Sequence, residues 1–170
     1  MINPEDKLDL GEIPIDSPER KRLPPLLRRA WYGLNQAFRR RISHTGATPD
    51  QFTALRCLIE TNNEGITQRQ LITMMSSDPN TIASLVERLI SAGWIDRQRH
   101  AKDKRAYSLF IKPEGKAKYE ELRDLAVELQ SNILESIPQA ERENFLKNLG
   151  LMADACRSEA MNALERDNVN

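Results

Sequence analysis

The stretch PNTIASLVERLISAGWIDRQRHAKDKRAYSLFI, residues 79–111, decides the fold. Its first part repeats apolar residues at helical spacing: Ile82, Leu85, Val86 and Leu89. Positions three and four apart share one face of a helix, so this set predicts a single buried side. Asn80, Thr81, Ser84 and Arg88 are then left pointing outward. Gly93 closes the helix, as a glycine just past a helix end commonly does. Trp94–Arg99 and Tyr107–Ile111 alternate apolar and polar residues, which is the period of a half-buried strand. The link between them, His100–Arg105, is short and basic and predicts a hairpin with a cationic tip.

Immediately upstream, Thr67 is a natural cap for a short helix holding Gln70, Leu71, Met74 and Met75. Ser76-Ser77-Asp78-Pro79 breaks that helix. Two short helices joined by a tight turn, then a basic-tipped hairpin, spell a winged helix-turn-helix. Further out the pattern stays helical. Leu23, Leu26, Leu27, Ala30, Trp31, Leu34, Ala37, Phe38 and Ile42 form one apolar stripe. The opposite face carries Arg20, Lys21, Arg22, Arg28, Arg29, Arg39, Arg40 and Arg41. Thr48, Pro49 and Asp50 open a second helix with Phe52, Leu55, Leu58 and Ile59, which Asn62-Asn63-Glu64-Gly65 ends. Downstream, Pro113 starts a long helix with Tyr119, Leu122, Leu125, Ala126, Leu129 and Ile133 on one face. Pro138 opens a last helix with Phe145, Leu149, Met152, Cys156 and Leu164. The expected class is mainly α with a small two- or three-stranded antiparallel sheet. Residues 1–19 read as a flexible acidic arm and 20–46 as an N-terminal helix on the dimer or DNA side. Residues 47–112 read as the winged helix-turn-helix and 113–170 as dimerisation helices.

Charge divides along the same lines. The 170 residues hold 25 Lys+Arg and 25 Asp+Glu, a net charge of zero that taken whole argues against nucleic acid. By segment the balance is −5 over residues 1–19, +10 over 20–113 and −5 over 114–170. Local charge selects the partner of a surface, so the basic block keeps duplex DNA in play. No apolar run approaches the roughly 20 residues needed to span a bilayer. The N-terminus lacks the basic and apolar regions of a signal peptide. Cys57 and Cys156 lack metal or redox spacing. A soluble cytoplasmic protein with reduced thiols is expected, with no membrane partner.

The second helix is narrow enough for the major groove, where Asn80, Thr81, Ser84 and Arg88 meet base edges. Ser76 and Ser77 in the turn join this set. Arg99, Lys102, Lys104 and Arg105, on and beside the hairpin tip, with His100, suit phosphates or a flanking minor groove. At these residues the chain resembles the MarR family. Gly93-Trp94-Ile95-Asp96-Arg97, then Asp103-Lys104-Arg105, then Ile111-Lys112-Pro113-Glu114-Gly115 is similar to the family signature around the wing. The family's form is Gly-Leu-Val-x-Arg, five residues, Asp-x-Arg, then Leu-Thr-x-x-Gly. The resemblance extends over about residues 20–165. It implies a homodimeric transcriptional regulator, usually a repressor of palindromic operators, in which the first helix and the last two build the dimer. It also implies that Arg105 enters the minor groove, and that Asp103 shapes the wing with Arg97 as its structural partner. Many members release DNA when a small, often aromatic, acid binds. Trp31, Tyr32 and Phe38 are the candidate lining of such an effector pocket, with core or dimer packing the competing assignment.

Two positions depart from the family. Lys112 replaces the threonine before the long helix, and Pro113 at its first turn compensates in part. Ala83 and Ser84 stand where many members carry an arginine, which shifts operator reading toward Asn80, Thr81 and DNA shape. An alternative function is a protein-binding winged-helix adaptor that never touches DNA. An enzyme is not expected: there is no phosphate loop, no paired catalytic carboxylates and no Cys–His dyad. Neither a cofactor nor a metal is implied, because His44 and His100 stand apart.

Overall fold

The computed structural model describes Ser17 and residues 22–61, 64–99 and 107–167. Contacts divide the chain into two compact units, Met1–Leu125 and Ala126–Asn170. In the first, α1 (Leu23–Arg41) leads through a 3₁₀ turn (Ser43–Thr45) to α2 (Pro49–Glu60). β1 (Ile66–Thr67), α3 (Gln68–Met75) and α4 (Pro79–Ser91) follow, then β2 (Ile95–Arg99) and β3 (Tyr107–Ile111). α5 (Pro113–Leu134) runs on from this unit into the second, where α6 (Gln139–Asp167) completes the chain.

The sheet has three antiparallel strands in the order β1-β3-β2. β2 and β3 pair from Ile95↔Ile111 to Arg99↔Tyr107, so the expected hairpin forms. β1 is only two residues long, paired as Ile66↔Leu109 and Thr67↔Ser108. It closes the third strand that the alternation of residues left open.

One hydrophobic core holds these elements. α2 supplies Ala54, Leu55, Cys57 and Leu58, and α3 supplies Leu71. α4 contributes Ile82, Leu85, Val86 and Leu89, all fully buried, while the sheet adds Ile66, Ile95 and Leu109. The helix starts are chemically fixed. Thr48 and Thr67 each complete a capping box, with Gln51 and Gln70 as the reciprocal partners. Thr48→Ala is therefore expected to cost about 1 kcal/mol of stability, and Thr48→Ser much less. Urea unfolding of the two variants checks this; equal loss in both would remove the hydroxyl from the account.

α1 behaves differently from its pattern. Phe38 and Ile42 are buried, but Leu23, Leu26, Trp31 and Leu34 remain exposed. Phe38 meets Phe52 edge to face at 5.1 Å, and Phe52 stacks on Tyr119 at 5.4 Å. This aromatic column ties α1, α2 and α5 together. Lys118 adds a second tie, donating to the Thr45 carbonyl at 3.3 Å and to Glu121 at 2.7 Å. In the second unit, Leu129 is buried, whereas Phe145, Leu146, Leu149 and Leu151 of α6 are exposed. Cys156, expected on an apolar stripe, is exposed as well. Among the described residues, no helix is long and apolar enough to cross a membrane.

Candidate nucleic-acid interface

α3, the turn after it and α4 form the helix-turn-helix. At Ser76 the chain takes a left-handed conformation, φ 49°, which ends α3. The Ser76 and Ser77 amides turn back to the carbonyls of Thr73 and Ile72. Asp78 then caps α4. Its Oδ1 accepts from the amides of Asn80 at 3.0 Å and Thr81 at 2.9 Å, and Pro79 fits the first turn. Hydrogen bonds from the Thr81 side chain and then its amide hold the Asp78 carboxyl below its ordinary pKa. A lowered folded pKa means the cap stabilises α4 above the ordinary carboxylate value. That contribution fades as pH falls through the lowered one.

With four residues locked inward, α4 presents Asn80, Thr81, Ser84, Glu87 and Arg88 to solvent, all exposed. Asn80, Ser84, Glu87 and Ser91 lie four, three and four residues apart, which is one stripe along the helix. Glu87 was absent from the sequence reading, although the spacing that placed Asn80 and Ser84 also places it. Arg88 donates through Nε to the Ser84 carbonyl at 3.3 Å, which folds its stem along the helix.

β2 carries the next cations. Ile95 is buried, and the two-residue period puts Arg97 on that same side, toward α4. There its Nη2 lies 2.6 Å from Glu87 Oε1. Arg97 thus has a carboxylate partner on α4. Arg99 is exposed at the end of β2, opposite Tyr107. Arg97 also borders an open hollow that it shares with Arg69 and Tyr107, so cationic groups of α3 and β2 converge on one side. Lys102, Asp103, Lys104 and Arg105 lie outside the described residues.

The three aromatic residues of α1 differ in exposure. Phe38 is buried, while Trp31 and Tyr32 are 64% and 60% exposed. Tyr32 accepts a hydrogen bond from Gln36 Nε2 at 3.2 Å. Cys57 is buried in the core, and that burial pushes its thiol pKa up. Among the described residues, no group of three or more His, Cys, Asp or Glu is placed to hold a metal ion.

This architecture has known counterparts. Residues 47–107, the span from the start of α2 to the start of β3, match the MarR family model. The HTH-type transcriptional regulator BilQ of Clostridium symbiosum is 32% identical over 94 residues, covering 54% of this chain and 65% of that protein. The match therefore spans a little under two thirds of that relative. Among solved structures, the Staphylococcus aureus MepR–DNA complex superposes with a TM-score of 0.72 at 19% identity, over 80% of this chain and 99% of that one. BpsR of Bordetella bronchiseptica, whose DNA binding is regulated by 6-hydroxynicotinic acid, superposes with a TM-score of 0.71 at 23% identity, over 79% of this chain and 94% of that one. At these identities the two structures establish the shared fold.

Proposed function

We propose that this chain, whose residues 47–107 match the MarR family model, is a DNA-binding transcriptional regulator, a homodimer that represses from a palindromic operator. The observation that carries this reading is α4: a helix fixed by four buried residues and an N-cap, with an exposed polar stripe, followed by the exposed Arg97 and Arg99 of β2. Such a helix fits the major groove, where short polar groups and arginine discriminate base edges. Ser76, Ser77, Asn80, Thr81, Ser84 and Arg88 are its proposed contacts. Arg99, with Lys102, Lys104 and Arg105 of the wing, takes the flanking backbone and minor groove. Asp103 and Arg97 keep the wing in shape.

Two exposed apolar faces support the dimer. One is Leu23, Leu26 and Leu34 on α1; the other is Phe145, Leu146 and Leu149 on α6. Clustered apolar surface of this kind marks an interaction site more often than free solvent. A small organic anion of the aromatic-acid type is the proposed release signal, as the ligand of BpsR suggests. Trp31 and Tyr32 with the arginines of α1 offer the aromatic and cationic groups it needs. The protein is then a cytoplasmic regulator and not an enzyme.

Selection of bound duplexes from random DNA tests the reading. The expected product is an inverted repeat with half-site centres about 34–36 Å apart, bound by a particle of two chains in light scattering. A selected pool with no repeat, or a single-chain complex, overturns it.

A further inference from the structure

Glu87 is out of place on a surface meant for phosphates. It sits in the middle of the exposed stripe of α4, between Ser84 and Ser91, and is 62% exposed. A carboxylate there repels the DNA backbone, so its presence calls for a compensating role. The structure gives it a partner, the Arg97 guanidinium, at 2.6 Å. That guanidinium belongs to β2, whose far end enters the wing. The pair therefore joins the two elements that face DNA, across ten residues of chain. Exposed ion pairs add little to stability. Holding two contact elements in one geometry is a different contribution, because it removes an ordering cost from binding.

We propose that Glu87 is a positioning residue: through Arg97 it sets the wing against the recognition helix, so that both reach the duplex together. This rests on the DNA-binding reading above. Two effects of Glu87 then oppose each other. Its charge weakens DNA binding, and its grip on Arg97 strengthens it. The second wins only while Arg97 is there to be held. Asp96 does not replace it, since that carboxylate already accepts from the Arg97 amide at 2.8 Å and from Gln98 at 3.2 Å.

The test is a four-protein cycle of wild type, Glu87→Gln, Arg97→Gln and the double variant, each titrated with a selected duplex. Glu87→Gln is expected to bind about fivefold to tenfold more weakly than wild type, although it removes a negative charge. In the Arg97→Gln background the same change is expected to leave binding equal or tighter. That reversal of sign is the signature of positioning; charge alone predicts tighter binding in both backgrounds. Melting temperatures should stay within about 3 °C of wild type, so lost folding does not imitate the effect. Glu87→Gln binding as tightly as wild type, or more tightly, overturns the proposal and leaves DNA binding itself intact. A wild-type chain that binds no duplex overturns the DNA reading and this one with it.

Discussion

Gly115→Ala is expected to melt about 4–12 °C below wild type, a loss of about 2–3 kcal/mol. Gly115 is buried in the first turn of α5, where the helix start lies against the Trp94 backbone between α4 and β2. A Cβ on Gly115 would collide with the backbone carbonyl of Trp94, and would also crowd Ile111 Cγ1 at 3.0 Å. The Trp94 carbonyl has little freedom to move aside, because it accepts the Lys112 amide at 2.9 Å. Relief of the clash must shift α5 or the backbone at the base of the wing, both of which are packed. Helix propensity works the other way, since alanine is favoured over glycine by up to about 1 kcal/mol inside a helix. The steric term is larger, so the net sign is destabilising. Gly150→Ala supplies the control. Gly150 lies within α6, and a Cβ there meets nothing within 4 Å. That variant is expected to be as stable as wild type or slightly more so. Thermal melts followed by circular dichroism separate the two, and a Gly115→Ala protein that melts at or above wild type would show that the junction yields freely.

The same junction shows what could be read from sequence. The buried side of α4, the capping threonines and the hairpin are short-range signals: spacing of three and four, a hydroxyl before a helix, alternation by two. Each is written within a dozen residues, and each appears in the structure where the spacing puts it. Gly115 was visible as a motif position, but its reason was not, because the atom it must clear is the Trp94 carbonyl, twenty-one residues earlier. β1 is too short for an alternation to register, and exists only because Ile66 and Thr67 find Leu109 and Ser108. Arg97 was assigned an ion pair, and a partner on α4 follows from the side of β2 that faces the helix. α1 marks a different limit. Its apolar stripe predicts a covered face, but periodicity says nothing of what covers it, and five of those residues stay exposed in the isolated chain. The same holds for Cys156 on α6.

Affinity for a selected duplex is expected to fall by about a thousandfold between 50 and 200 mM salt. Each phosphate neutralised releases bound counterions, so log affinity falls with log salt by roughly 0.9 per contact on duplex DNA. Arg88, Arg99, Lys102, Lys104 and Arg105 are the proposed cations of one chain, with Arg97 committed to Glu87. If about three of the five meet phosphates and two chains bind, about six contacts result and the slope is about −5. The zero net charge does not cancel this. At physiological salt, charges are screened beyond about 8 Å, so a phosphate senses the cations it contacts and not the summed charge of the chain. The steepness should therefore be greater for the selected duplex than for random DNA, where fewer of the five cations engage at once. Titrations at four salt concentrations with both duplexes measure the two slopes. A slope shallower than about −2 on the selected duplex would be too small for two wings and two recognition helices, and would move the protein toward the adaptor class.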